Sequence, residues 1–176
     1  MRLLQLLTIF TLLITACNPK EKVMVEKETP TFTKAVAVVN AIDESGVSGV
    51  VNFQTTAEGL SVMAEFSGLT EGNHGFHIHE YGDCTATDGT SAGGHFNPNG
   101  NNHSNPESMN RHMGDMGNIV ADSNGDASKN YMDNTIRIDQ IIGRGVIVHA
   151  GEDDLTSQPS GAAGSRIACG VIGIAN

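Results

Sequence analysis

Seven side chains in the middle and late parts of this 176-residue chain could build a two-metal centre. His77 and His79 stand as His-Ile-His, followed by His95, His103, His112 and Asp115, and finally by His149. Imidazole is the usual ligand for copper and zinc, and a carboxylate completes a zinc site. Seven ligands exceed what one four-coordinate metal can use, whereas two adjacent metals sharing one ligand would use them all. His77 and His79, two apart in a strand, project from one face while Ile78 points to the other, so both can reach one metal. His149 ends a later strand and could add a third nitrogen from across a sheet edge. His95, His103, His112 and Asp115 follow one another in a loop at separations of 8, 9 and 3, and three histidines with one aspartate suit tetrahedral zinc. His74 stands outside the set. It reads as a hydrogen-bonded support of its strand, with a weak contact to copper as the alternative.

The elements that must position these ligands read as strands. Segments 34–40, 47–54, 60–67, 75–80, 118–121, 127–132, 146–150 and 166–174 are short, and the first three are rich in Val, Phe and Ala. Turn signals such as Ser123-Asn124-Gly125-Asp126 separate several of them, and no stretch keeps a 3.6-residue period for three turns. The expected class is all-β: an eight-stranded antiparallel Greek-key flattened barrel or β-sandwich with two long functional loops. Those loops run over about 81–117 and 151–165. Loops of such length without their own secondary structure are uncommon unless they carry function. The first holds four of the candidate ligands, and the second follows His149 directly.

Residues 1–16 read as an export leader, with Arg2 ahead of an apolar run too short to span a bilayer comfortably. The run ends in Ile14-Thr15-Ala16-Cys17, which resembles a bacterial lipobox, with Cys17 lipidated as the mature N-terminus; an ordinary secretory signal is the alternative. Segment 17–32 would then be a lipidated N-terminus and charged tether, and 33–176 the folded domain. Cys84 and Cys169 remain, and an even pair in an exported chain argues for one disulfide closing a long loop. The formal charge is −10, or −11 once Arg2 leaves with the leader. That balance disfavours nucleic acid and anionic membrane surfaces, so attachment to a membrane would run through the lipid. The expected location is the cell envelope, most simply the outer membrane facing the periplasm, and otherwise the cell surface.

Gly75-Phe76-His77-Ile78-His79-Glu80, Gly93-Gly94-His95-Phe96-Asn97-Pro98, Arg111-His112-Met113-Gly114-Asp115-Met116-Gly117-Asn118 and Gly164-Ser165-Arg166-Ile167-Ala168-Cys169-Gly170 resemble copper/zinc superoxide dismutases in the same order. The similarity covers roughly residues 34–176. It implies copper on His77, His79, His95 and His149, and zinc on His95, His103, His112 and Asp115, with His95 bridging. It further implies that Arg166 attracts and orients superoxide, and that His95 carries a proton in the reaction. Cys84 and Cys169 match the family's disulfide. Asp153 or Asp154, with Asp153 preferred, matches the aspartate that links ligands of the two metals. The implied cofactors are Cu(2+)/Cu(+) and Zn(2+), and the implied reaction turns superoxide into oxygen and hydrogen peroxide. A homodimer is left open, since the segment between His149 and Arg166 is shorter than in cytosolic eukaryotic relatives and has no lysine.

Two other classes compete with the enzyme. A copper-handling protein on the same scaffold would draw on Met109, Met113 and Met116, whose thioethers bind Cu(I). A purely structural surface sandwich would leave the complete ligand set and Arg166 without a reason.

Overall fold

Eight antiparallel strands close into a barrel in the order β1-β2-β3-β6-β5-β4-β7-β8. The computed structural model describes residues 31–42 and 44–176. The leader 1–16, Cys17 and the tether up to Pro30 lie outside the described residues. The strands are β1 (Lys34–Ala41), β2 (Ser48–Thr55), β3 (Leu60–Ser67), β4 (Gly72–His79), β5 (Asp115–Ala121), β6 (Ala127–Asp133), β7 (Gly145–His149) and β8 (Arg166–Ala175). Two crossover connections, β3 to β4 and β6 to β7, give the Greek-key order, which makes β3 a neighbour of β6 and β4 a neighbour of β7. The β1–β8 pairing closes the barrel without a free edge among the described strands. His149 therefore reaches the site from the direct neighbour of β4 and not across an edge, because Phe76 pairs with Val148 and His77 with Ile147.

Alternation explains which faces are buried. In β3, Leu60, Val62, Ala64 and Phe66 point inward while Met63 is exposed. They join Ala35, Ala37, Val39, Val51, Phe53, Ile119, Val146, Val148 and Ile172 in one core. Phe32, which the sequence assigns to the tether, packs against that core. β4 is buried on both faces, so it does not alternate: Phe76 and Ile78 enter the core, with Phe76 edge-on to Phe66 at 5.7 Å. The opposite face of the same strand presents His77 and His79.

Two irregularities bend the ladder at the functional end. The register shifts between Gly75 and His77 where β4 meets β5, and between Val148 and His149 where β7 meets β8. Such shifts re-aim side chains beside a site. They explain why β5 begins at Asp115, three residues before the sequence suggests: Asp115 pairs with His77 beyond the break. The connection from β6 to β7 also carries a single helical turn, α1 (Ile138–Ile141), which buries Ile138 and Ile141. Four residues are too few to show a helical period.

Candidate metal centre

Four elements bring the seven residues together at one end of the barrel. β4 supplies His77 and His79, β7 supplies His149, the start of β5 supplies Asp115, and the 80–114 loop supplies His95, His103 and His112. The loop is bound back to the sheet by backbone pairing: His79 bridges His95, Phe96 N–H donates to Ile78 O, and Ile78 N–H donates to Gly114 O. Gly114 sits so close that a Cβ would lie 2.1 Å from that Ile78 carbonyl oxygen. Arg111, itself buried, pairs with Asp133 at 2.6 Å and donates to the carbonyls of Pro106, His112 and Met113, which clamps the loop around His112.

The ligand atoms fall into two groups that share His95. One comprises His77, His79, His95 and His149, the other His95, His103, His112 and Asp115, and within each the donor atoms lie within 4.8 Å of one another. In the first group, His77 Nδ1 and the Nε2 atoms of His79, His95 and His149 are buried without a hydrogen-bond partner. The far nitrogen of three rings is engaged. His77 Nε2 donates to Asp153 Oδ2 at 2.8 Å, His79 Nδ1 to Gly93 O at 3.0 Å and His149 Nδ1 to Gly164 O at 3.1 Å. A neutral imidazole that donates from one nitrogen turns a lone pair outward from the other. The first group therefore aims unpartnered lone pairs at a common point, an arrangement costly to bury unless a cation accepts them. All-imidazole donors suit copper.

In the second group, Asp115 Oδ1 lies 2.7 Å from His95 Nδ1 and 2.9 Å from His103 Nδ1. His112 Nδ1 comes within 3.2 Å of it without forming a hydrogen bond. Four donors about 2.0–2.1 Å from one zinc would stand roughly 3.3 Å apart; the His112 spacing matches that, and the two shorter ones are hydrogen bonds that would open slightly to admit an ion. Asp115 Oδ2 accepts the backbone N–H groups of Ser104 and His112, which fixes the carboxylate plane.

Asp153 connects the groups. Its Oδ1 accepts from His103 Nε2 at 2.8 Å while its Oδ2 holds His77, and it is 1% exposed. Neighbouring Asp154 is exposed, and its carboxylate accepts from Thr156 and Ser157 of its own turn and from neither metal group. Four supporting features had no separate signal in the sequence. Asn118 grips the Asp153 backbone from both sides, accepting from its N–H and donating to its carbonyl, each at 2.8 Å. Gly161 packs on the carboxylate so tightly that a Cβ would sit 1.8 Å from Asp153 Oδ1. Gln158 clamps the His103 backbone, accepting from its N–H and donating to its carbonyl at 2.9 Å each. The Gly93 carbonyl accepts from both His79 and Arg166.

Arg166 stands opposite His149 on β8, half-buried, with its guanidinium held by Gly89 O and Gly93 O. The Cys84–Cys169 disulfide ties the same loop to the same strand. His74 lies outside both groups, its Nδ1 2.9 Å from His149 O and its Nε2 2.8 Å from Thr70 O. The three methionines do not converge: Met116 is fully buried, Met113 packs against the core and Met109 is exposed.

Protonation follows from burial and these partners. Burial pushes His77 down to about 3 and His149 down to about 4, and it holds His79 well below the ordinary range. Burial also opposes protonation of His103, but its bonds to Asp115 and Asp153 outweigh it and raise the ring to about 9. Burial would raise both aspartates, yet the histidine hydrogen bonds hold them well below the carboxylate range. For the metal-free chain the signs oppose. Below pH 6.5 the unfolded chain takes up protons that His77 and His149 refuse in the fold, so stability falls as pH drops toward 4. The His103 contribution is fully present below 6.5 and is lost as pH rises through about 9. Urea midpoints of chelator-treated protein should therefore peak near pH 6.5 and fall on both sides, and a midpoint flat from pH 4.5 to 9 would contradict these assignments.

Comparison with known proteins gives the same direction from each side. Residues 47–172 match the family model described as copper/zinc superoxide dismutase. The chain is 40% identical over 159 residues to an extracellular superoxide dismutase [Cu-Zn] of Brugia pahangi, covering 82% of this chain and 79% of that one. It is 45% identical over 156 residues to the protein of that name from Onchocerca volvulus, covering 81% and 76%. Among solved structures it resembles the clock protein EA4, with a TM-score of 0.76 and 37% identity over 85% of this chain and 99% of that one.

Proposed function

The chain belongs to the copper/zinc superoxide dismutase family, and we propose that it dismutes superoxide at a copper held by His77, His79, His95 and His149 beside a zinc held by His95, His103, His112 and Asp115. The observation that carries this reading is the set of four buried imidazole nitrogens that lack any partner and meet beside a second, carboxylate-containing group. When bound, copper supplies one-electron redox chemistry and zinc a fixed charge that organises its ligands.

The protein's own residues do the remaining work. Asp153 and the Gly93 and Gly164 carbonyls lock the tautomers of His77, His79 and His149, so their lone pairs need no reorganisation. His95 engages the zinc group through Nδ1 and turns Nε2 toward the copper group, and whenever copper does not occupy it that same Nε2 would hold and deliver a proton as peroxide forms. Arg166 offers a rigid cation, since two loop carbonyls fix its guanidinium before the anion arrives. Against a net charge of −10, that local field must recruit a small anion. Arg166→Gln is expected to lower kcat/KM on the order of tenfold at low salt, with metal content unchanged and a weaker dependence on ionic strength. Equal salt dependence in both proteins would remove Arg166 from that role.

The protein is exported, as its extracellular relatives suggest. The leader 1–16, the lipid on Cys17 and the tether to residue 32 complete the reading, which attaches the domain 33–176 to the cell envelope and protects it from superoxide outside the cytoplasm. The decisive experiment loads the chain with copper and zinc and measures metal content beside superoxide dismutation. One copper and one zinc per chain with fast, cyanide-sensitive turnover is the expected result. Two bound metals with no activity above free copper would overturn it.

A further inference from the structure

The seam between β5 and β6 holds a lysine where the fold calls for an apolar residue. Every residue pair along β3 and β6 shares a face, and Leu60, Val62, Ala64 and Phe66 are buried opposite Asp133, Tyr131, Lys129 and Ala127. Lys129 thus stands in the inward row of β6, across from fully buried Ala64, while its neighbours Ser128 and Asn130 are exposed. Burying an ammonium is costly unless its protons are bonded, so its partners explain why it is there.

Those partners lie across the seam. β5 and β6 pair only at Ala121 and Ala127, next to their turn, so the rest of β5 lacks a ladder on that side. Lys129 Nζ fills the gap by donating to Met116 O at 2.8 Å and Asn118 O at 2.6 Å. Charge-assisted bonds of this kind are stronger than the amide bonds they replace. The two carbonyls sit in the short stretch that carries the centre's supports. Asp115, next to Met116, is the carboxylate of the zinc group, and Asn118 holds the Asp153 backbone in place. Asp153 in turn holds His77 and His103, one from each group.

We infer that Lys129 is a positioning residue for the metal centre: its ammonium substitutes for the missing β5–β6 ladder and holds the 115–118 stretch in the register that the zinc group and the Asp153 bridge require. The inference rests on the metal-centre reading above. It assigns a metal-site function to a side chain that touches no ligand.

The test uses the full chain with copper in its group and either zinc or cobalt(II) in the zinc group. Lys129→Met keeps the length and removes the ammonium, and Lys129→Arg keeps a cation able to reach both carbonyls. Should Lys129→Met fail to fold, Lys129→Gln serves in its place. Val62→Ala, in the inward row of β3, which does not pair with β5, matches for simple loss of barrel stability. The expected result is about tenfold faster zinc release to a chelator and a shifted cobalt absorption band for Lys129→Met, both restored toward wild type by Lys129→Arg. Val62→Ala should lower the melting temperature without moving the band. A wild-type band and zinc release within twofold of wild type in Lys129→Met would overturn the inference, as would Val62→Ala reproducing both changes at equal melting temperature. A wild-type chain that takes up no cobalt in this group would instead overturn the metal-centre reading itself.

Discussion

Asp153→Ala is expected to weaken both metals together, by about 10–100-fold in affinity or activity, although Asp153 belongs to neither ligand group. The carboxylate accepts from His77 Nε2 and His103 Nε2 at 2.8 Å each, and from the backbone N–H of Leu155. Without it, two buried ring N–H groups lose their acceptor, each at a cost of about 1–3 kcal/mol. Either ring can recover some of that by changing tautomer or turning, and both escapes misdirect the lone pair meant for the metal. The change therefore reaches copper through His77 and zinc through His103. Asp153→Asn retains one acceptor oxygen and should fall between alanine and wild type, with one metal affected more than the other. Competitive chelator titration of each metal separately checks this. Weakening of a single metal by Asp153→Ala would mean that the two rings do not depend on a common anchor.

Cys84→Ser/Cys169→Ser is the second large effect, and it should act on stability and on Arg166 together. The bridge spans 85 residues of chain. The chain-entropy treatment assigns a loop of that size about 4.5 kcal/mol. For a domain of this length each kcal/mol moves the melting temperature by about 2–4 °C, so the fall should be roughly 9–18 °C. The bridge also has a local task. Cys84 lies in the loop whose Gly89 and Gly93 carbonyls hold Arg166, and Cys169 lies three residues beyond Arg166 on β8. Releasing the loop frees the guanidinium, so activity per bound copper should drop even at temperatures where the variant is folded. A melting temperature within 3 °C of wild type, or unchanged activity per copper, would contradict these two parts in turn.

Much of this molecule can be read from local pattern. All eight strands are visible as short β-rich segments between turn residues, and residues 60–67 match the observed β3 at both ends. The departures have specific causes. β5 begins at Asp115 because a register break in β4 brings Asp115 opposite His77, and no local propensity in Asp-Met-Gly signals that pairing. The one-turn helix α1 is too short to display a period. At the site, the donor residues were legible because imidazole and carboxylate types are sparse and chemically distinctive. Asn118, Gly161, Gln158 and Lys129 were not, since each acts through a backbone group or a contact with a residue distant in sequence.

By itself, then, the sequence determined the inventory: which side chains can bind metal, an acidic balance, a cysteine pair at Cys84 and Cys169, and an alternation that builds a β-barrel. Those properties follow from residue type and short-range order, which the linear chain carries directly. Only the tertiary structure decided which ring nitrogen faces which group, that the carboxylate between them is Asp153 and the rings it holds are His77 and His103, and that an inward lysine closes a seam in the barrel. Each of these depends on angles and separations of a few ångströms between segments tens of residues apart. Such distances are set by strand register and barrel closure, which no single segment encodes.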